Sequence, residues 1–125
     1  METKAIISVL LTSLSWFFIP IQWYLLFTCF VVVADLYTGW RASKMPFISR
    51  GVRRTIDKIS MYFLAIIIAH GFDLLYLPEG RLILSFAVSS LIVSTEMLSV
   101  YENIHRTTGT SLGALLKKFL GDGKP

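Results

Sequence analysis

The sequence predicts an all-α integral membrane protein with several short transmembrane helices. Hydrophobic residues make up 54% of the 125 residues and charged residues only 16%, whereas an ordinary soluble domain has about 25% charged residues. The apolar residues also form four runs separated by short polar or basic segments, a pattern typical of membrane-spanning helices. A soluble core of this size could not bury so much apolar surface, so lipid is the expected solvent.

Residues 1–103 form the predicted transmembrane domain, with helices over about 5–19, 20–40, 54–77 and 81–103. A hydrocarbon core about 30 Å thick takes roughly 20 helical residues, a length that the last two runs reach. The first two are short and meet at Pro20. Proline disfavours helix at the preceding residue and suits the first turn of a new helix. We therefore predict two helices meeting there, with one long kinked helix as the alternative.

Basic residues between the second and third runs and in the tail predict the topology. Cytoplasmic loops of membrane proteins carry an excess of Lys and Arg, so we expect the central loop and the C-terminus to be cytoplasmic. With four spans the N-terminus is cytoplasmic too, in agreement with Lys4. The side chains expected to contact the anionic inner leaflet are Arg41, Lys44, Arg50, Arg53, Arg54, Lys58, Lys117 and Lys118. The net charge of +4 is thus explained without nucleic acid.

The tail over residues 104–125 is predicted to carry a short amphipathic helix at about 110–120. Its apolar residues recur at helical spacing, beside Lys117 and Lys118, and Thr110 or Ser111 is a candidate for its N-cap. Such a helix fits the inner leaflet, a partner chain, or the protein's own bundle equally well.

No motif in the sequence indicates catalysis. There is no glycine-rich phosphate loop, no nucleophile elbow and no His/Cys set with metal-ligand spacing, and His70 and His105 lie far apart. The single cysteine, Cys29, lies inside an apolar run and excludes an intramolecular disulfide. We therefore expect no enzyme activity, no metal and no cofactor.

Ionisable residues within the apolar runs are the informative ones, because charge in a membrane is costly and usually has a use. Asp35 lies near the end of the second run, and His70 and Asp73 share one face of the third. In the fourth run a polar face contains Ser85, Ser89, Glu96, Ser99 and Asn103. Such a face either packs closely against another helix or lines water. Both uses are compatible with an oligomeric pore.

Two motifs resemble those of a known family. Asp35-Leu36-Tyr37-Thr38-Gly39, before a basic loop, resembles the D-x-x-T-G element of phage holin family 4, the toxin secretion/phage lysis holin family. The segment 96–103, EMLSVYEN, is similar to the E-x-L-S-x-x-E-N signature at the end of that family's last membrane helix. The candidates for pore lining or assembly are Asp35, Thr38, Gly39, His70, Asp73, Ser85, Ser89, Glu96, Ser99, Glu102 and Asn103.

The resemblance implies a protein that oligomerises in the bacterial inner membrane. Its lesions would release a cytoplasmic endolysin for host lysis, with an antiholin as a further partner and without catalytic residues or cofactors. Related members are associated with toxin export, so a holin-like toxin exporter or a pore-forming defence effector is the alternative. A small ion channel and a membrane scaffold subunit are further alternatives that the polar helices also allow.

Overall fold

The computed structural model describes residues 2–44, 49–109 and 111–120, and within these ranges the chain is helical and has no strand. The α-helices are α1 (Glu2–Phe18), α2 (Gln22–Ser43), α3 (Ser49–Tyr76), α4 (Ile83–Thr108) and α5 (Leu112–Leu120). Short 3₁₀ turns over Ile19–Ile21 and Pro78–Gly80 join α1 to α2 and α3 to α4. The predicted all-α fold is confirmed for these ranges.

Three helical stretches are long and apolar enough to cross a membrane: Glu2–Ser43, Arg50–Tyr76 and Ile83–Thr108. The first contains α1, the 3₁₀ turn and α2, so the four separate spans predicted from the sequence are not confirmed. Its 42 residues would extend about 63 Å as a straight helix, twice the hydrocarbon thickness of about 30 Å. A single crossing therefore accommodates only part of this stretch.

Helices α2, α3 and α4 pack into a bundle in which α2 and α4 are parallel and α3 is antiparallel to both. The closest packing is between α2 and α4. At one end, here called the turn end, Asp73 near the end of α3 contacts Leu84 and Ser85 at the start of α4. At the opposite end, called the basic end, Lys58 of α3 contacts both of its neighbours. Helix α1 contributes no buried residue.

Local backbone chemistry sets the helix ends. Helix α2 stops at Lys44, whose φ of 53° is left-handed, and α4 stops at Gly109, whose N–H bonds to the carbonyl of His105. The sequence had placed the end of this fourth helix at about 103, but it continues to Thr108. Glycine adopts the left-handed C-cap without strain, which makes Gly109 the natural stop.

The tail helix α5 starts after Ser111, which caps it by accepting a bond from the N–H of Ala114 to its hydroxyl oxygen, at 3.2 Å. This is the geometry of an N-cap side chain. Lys117, Lys118, Phe119 and Leu120 are exposed on this helix. The other predicted cap, Thr110, and residues 121–125 of the predicted tail lie outside the described residues.

The bundle is apolar outside and largely polar inside. Its buried apolar residues are Ile21, Val31, Val32, Ile66 and Ala69. Its buried polar residues are Thr28, His70, Asp73, Ser85, Ser89, Glu96 and Asn103. Large apolar side chains such as Leu26, Phe30, Leu64 and Leu91 are exposed instead. So much exposed apolar surface is unfavourable in water and favourable in lipid. The polar residues lie between the helices, which shield them from the hydrocarbon.

Candidate functional site: two polar clusters in the bundle interior

At the basic end, one lysine joins carboxylates from two other helices. The Nζ atom of Lys58 lies 3.1 Å from Oδ2 of Asp35 on α2 and 2.9 Å from Oε2 of Glu96 on α4. Glu96 is 2% exposed, and the side chain of Lys58 is 31% exposed, toward the basic end. One ammonium group therefore holds all three helices of the bundle together.

The remaining carboxylate oxygens also accept hydrogen bonds. The hydroxyl of Tyr62 donates to Oε1 of Glu96 at 2.7 Å, and Nδ2 of Asn103 donates to Oδ1 of Asp35 at 3.1 Å. Asn103 also lies 3.4 Å from the hydroxyl of Thr38, which itself donates to the carbonyl of Ala34. We call Asp35, Thr38, Lys58, Tyr62, Glu96 and Asn103 the lysine cluster.

Each of the four carboxylate oxygens in the lysine cluster accepts a hydrogen bond from a side-chain donor. Counted by formal charge, two carboxylates face one ammonium group. A buried ion pair is not by itself strongly stabilising, but removing one partner leaves a buried charge uncompensated. The cluster therefore depends on all of its members being present.

The spacing of the first family motif follows from this packing. Asp35, Thr38 and Gly39 lie three and four residues apart, on one face of α2. Asp35 and Thr38 contact Asn103, and a Cβ atom at Gly39 would lie 3.3 Å from Nδ2 of the same residue. Glycine at this position thus leaves room for Asn103, which belongs to the second motif. The two motifs meet in space.

A second polar cluster lies at the turn end. Asp73 accepts hydrogen bonds from the backbone N–H of Leu84 at 2.9 Å, and from the N–H and hydroxyl of Ser85 at 2.8 and 2.6 Å. Helix α4 has no side-chain cap of its own, so Asp73 of α3 caps it. A carboxylate is well suited to this role because the first N–H groups of a helix lack partners and carry partial positive charge.

His70 links the same end to the junction of α1 and α2. Its Nε2 atom lies 2.9 Å from the carbonyl oxygen of Phe17, and the two rings meet edge-on at 4.8 Å. Because a carbonyl only accepts, Nε2 carries the hydrogen. Pro20 has no N–H to offer this carbonyl three residues earlier, so the histidine supplies the donor. We call His70, Asp73 and Ser85 the capping cluster.

Among the residues that the structure describes, three buried side-chain atoms have no hydrogen-bond partner, and one of them belongs to the capping cluster. They are the hydroxyl of Thr28, the hydroxyl of Ser89 and Nδ1 of His70. Other threonine hydroxyls on these helices, such as those of Thr55, Thr95 and Thr107, bond to a carbonyl four residues earlier. The hydroxyl of Thr28 makes no such bond, although the residue is 0% exposed.

The structure separates the site candidates predicted from the sequence into groups. Asp35, Thr38, Glu96 and Asn103 join the lysine cluster, with Gly39 beside it, and His70, Asp73 and Ser85 form the capping cluster. Ser89 lies between them, and Ser99 is half-buried. Glu102 is exposed and lies 3.8 Å from Arg106 on the same helix, an ion pair of little energetic value at the surface.

The sequence did not predict that two residues, Lys58 and Tyr62, belong to a buried polar cluster. Lys58 was predicted as an inner-leaflet contact, but its ammonium lies between two carboxylates. The other residues predicted for that contact are exposed: Arg41, Lys44, Arg50, Arg53, Arg54, Lys117 and Lys118. Tyr62 was not singled out. The available signal was the spacing of Lys58, Tyr62, Ile66, His70 and Asp73, which lie on one face of α3.

Within the ranges that the structure describes, no group of three or more His, Cys, Asp or Glu side chains is placed to hold a metal ion. The fold and the clusters define a small helical membrane protein with an apolar exterior and a polar interior.

The chain belongs to the bacteriophage holin family, whose family model matches residues 12–124. This confirms the resemblance carried by the two motifs. The family consists of membrane pore-forming proteins and not of enzymes. No curated protein and no solved structure matches the chain.

Proposed function

We propose that the protein is a phage-type holin whose subunits oligomerise in the bacterial inner membrane and form lesions that release endolysin for host lysis. The observation that carries this proposal is the polar interior of the bundle. A subunit that keeps Ser85, Ser89, Glu96 and Asn103 buried is compatible with lipid on its outside. The same residues supply a water-compatible surface once neighbouring subunits open around a lumen.

The energetic argument for opening rests on the interior polar groups. An unsatisfied polar group in hydrocarbon or in a dry interior costs a few kcal/mol. Lumen water would satisfy the hydroxyls of Thr28 and Ser89 and the Nδ1 atom of His70, which lack partners in the closed subunit. Association of subunits at high concentration therefore gains hydrogen bonds that the isolated subunit does not make.

In the proposed orientation the basic end faces the cytoplasm and the exposed Arg and Lys residues contact the anionic inner leaflet. Helix α1 is apolar, and its 17 residues extend about 25 Å. We assign it a separate crossing that bends away at the turn over Ile19–Ile21 and returns the N-terminus to the cytoplasm. The tail helix α5, with exposed Lys117, Lys118 and Phe119, would lie on the inner leaflet.

This orientation is tested by labelling. In a Cys29→Ala background, a cysteine at Thr3 should react with a membrane-impermeant maleimide only after the inner membrane is opened. A cysteine at Glu79, at the turn end, should react in intact spheroplasts. Labelling of both positions in intact spheroplasts would place the N-terminus on the outer side of the membrane and would refute the separate crossing by α1.

The function is tested by inducible expression in bacteria, with and without a cytosolic endolysin that lacks an export signal. Culture density, membrane potential and release of a large cytoplasmic reporter are followed together. We expect abrupt lysis only when the endolysin is present. Depolarisation without passage of the reporter would indicate a small channel, and no effect at confirmed membrane expression would indicate a scaffold. The products encoded beside the gene distinguish lysis from toxin export or defence.

Glu96 tests the role of the polar face. Glu96→Leu removes a charge that would line the lumen, leaves Tyr62 without its acceptor and leaves Lys58 with Asp35 alone, so we expect lysis to be lost or delayed severalfold. Glu96→Gln keeps an oxygen for Tyr62 and should change timing less. The exposed Glu102→Gln serves as control. Lysis with normal timing in both Glu96 variants would contradict the assignment.

Replacing the unpartnered hydroxyls should stabilise the closed subunit. Thr28→Val and Ser89→Ala remove polar atoms that lack partners in the closed subunit, so the double variant should stabilise that subunit by about 1–3 kcal/mol. Lysis should therefore begin later than in the wild type at equal expression. Thr95→Val, an exposed threonine bonded to its own helix, is the control. Earlier lysis in the double variant would refute this account of opening.

A further inference from the structure

The outer surface of α3 carries a row of exposed residues that begins with an acid. Met61, Leu64 and Ile68 are each more than half exposed, and Asp57 lies one turn before Met61 on the same face of the helix. Asp57 is exposed and, among the residues that the structure describes, takes part in no ion pair. A charged side chain near hydrocarbon is stabilised by a partner of opposite charge. We call these four residues the outer stripe of α3.

Helix α1 carries side chains that complement the outer stripe. Lys4, Ser8, Thr12 and Ser15 follow one another at intervals of four, four and three residues, so they share one face of α1. Lys4 is exposed and also forms no ion pair within the described ranges. No residue of α1 is buried in the subunit. This face, here called the small stripe of α1, therefore has no packing partner in its own bundle.

The contact between Phe17 and His70 gives the relative depth of the two helices. The carbonyl oxygen of Phe17 lies 2.9 Å from Nε2 of His70, so the two residues lie at nearly the same level. In the proposed orientation α1 and α3 both begin at the basic end. Lys4 precedes Phe17 by 13 residues, and Asp57 precedes His70 by 13, which is about 19.5 Å along each helix. The ammonium and the carboxylate groups therefore lie at nearly one depth in the membrane.

The same count brings small residues of α1 level with large residues of α3. Nine residues before the contact lie Ser8 on α1 and Met61 on α3. Two residues before it lie Ser15 on α1 and Ile68 on α3. Small residues let helices approach closely in membranes, where van der Waals packing drives helix association. Charge and side-chain size thus match at three levels along the two stripes.

The positions of the stripes around each helix identify the occupant as a second copy of the chain. Successive residues of a helix are about 100° apart, which places the outer stripe about 120–180° around α3 from His70. His70 is buried and contacts Phe17 of its own chain. That chain's α1 is therefore held on the opposite side of α3 from the outer stripe. On α1 itself, Phe17 lies about 140–180° from the small stripe, so the small stripe faces away from its own bundle.

We propose that α1 of one copy packs in parallel on the outer stripe of α3 in a second copy, with Lys4 of the first paired to Asp57 of the second. The interface rests on the proposed function, because it needs the separate crossing by α1 and subunits that lie at one depth in the membrane. It uses only outer surfaces of the bundle. The lysine cluster and the capping cluster therefore stay closed when the contact forms.

Cysteine cross-linking in membranes tests the interface. In a Cys29→Ala background without endolysin, one chain carries Ser8→Cys and a second chain with a different tag carries Met61→Cys. After oxidation with copper phenanthroline we expect a covalent dimer that contains both tags. Leu91→Cys in place of Met61→Cys is the matched control, because Leu91 is exposed on α4 and should not cross-link to Ser8→Cys.

Placing both cysteines on one chain tests whether the partner is a second copy. The proposal predicts a covalent dimer and no internal disulfide. A monomer of altered mobility that reverts on reduction would show that α1 packs on its own α3 and would overturn the proposal. The absence of any dimer with both tags would overturn it as well.

Exchanging the charges tests the register of the two helices. Asp57→Lys in the Met61→Cys chain places two lysines together and should lower the cross-linked fraction about fivefold or more. Adding Lys4→Asp to the Ser8→Cys chain should restore it. Glu102→Lys, at an exposed carboxylate on α4, should leave the fraction unchanged, and circular dichroism checks that all variants have equal helix content. An unchanged fraction in Asp57→Lys, or no recovery after the exchange, would contradict the proposed register.

The lysis assay separates failure of this interface from failure of the proposed function. Endolysin-dependent lysis without a dimer that contains both tags would overturn the interface and leave the holin function in place. Cross-linking with the predicted charge dependence, but without lysis, would support the interface and refute the proposed function.

Discussion

Lys58→Met should destabilise the bundle more than any other single replacement in the lysine cluster. It leaves the carboxylates of Asp35 and Glu96 near each other without the ammonium that lies 3.1 and 2.9 Å from them. Removing one partner of a buried ion pair costs about 3–5 kcal/mol. The free energy of unfolding is measured by titration with denaturing detergent in mixed micelles, and lysis is expected to fail because the subunit does not accumulate.

Variants that change the number of charges in the lysine cluster serve as controls for Lys58→Met. Asp35→Asn leaves one carboxylate for one ammonium, so its effect should be much smaller than that of Lys58→Met. The triple variant Lys58→Met/Asp35→Asn/Glu96→Gln removes all three charges and should recover most of the lost stability. Arg53→Met removes an exposed charge and should change stability by no more than about 0.5 kcal/mol. Equal losses for Lys58→Met and Asp35→Asn would refute the charge imbalance.

Asp73→Ala should have the second-largest effect, because it removes the acceptor of three hydrogen bonds at the start of α4. Bonds to a charged group contribute about 1.5–3 kcal/mol each, but the freed N–H groups regain part of this from water at the turn. We expect a net loss of about 3 kcal/mol, with a smaller loss for Asp73→Asn. The start of α4 should also show faster amide hydrogen exchange.

Because Asp73 caps only the start of α4, its loss should affect amide hydrogen exchange only in that part of the helix. Exchange should accelerate at Leu84 and Ser85, whose N–H groups bond to Asp73, and should stay unchanged near Asn103 at the basic end. Glu79→Ala, an exposed carboxylate in the same connection, is the matched control and should leave both regions unchanged. Uniform acceleration along α4 would show that Asp73 supports the whole helix and does not act as a local cap.

Hydropathy predicted the helical membrane fold because the apolar character of each run is a local property of the chain. The first two runs illustrate the limit. Pro20 predicted a break, and the structure has a 3₁₀ turn at Ile19–Ile21, yet helix continues on both sides as one 42-residue stretch. Periodicity does not specify whether a second helix turns back or continues, since this depends on packing that the residues of α1 do not provide within one subunit.

The sequence predicted most of the residues in the polar clusters, but it did not predict which of them contact each other. Asp35, Glu96 and Asn103 were singled out because charge and amide groups are unusual in apolar runs. Lys58 was grouped with the basic segment, because it immediately precedes the third apolar run, together with Arg53 and Arg54. The predicted helix over 54–77 already placed Lys58 on the helical face of Tyr62 and Ile66, but its partners Asp35 and Glu96 lie on two other helices. Non-local pairing of this kind is not encoded in spacing alone.

The parallel packing of α2 and α4 has a consequence for the geometry of an assembly. These helices are not consecutive in the chain, so no connection at either end of the bundle ties one directly to the other. In the proposed oligomer, α2 of one copy can take the place of α2 in its neighbour, as in domain swapping. Such a contact joins two different surfaces, and it is repeated from copy to copy. The rotation between one copy and the next therefore decides whether such an assembly closes into a ring or continues as an open chain.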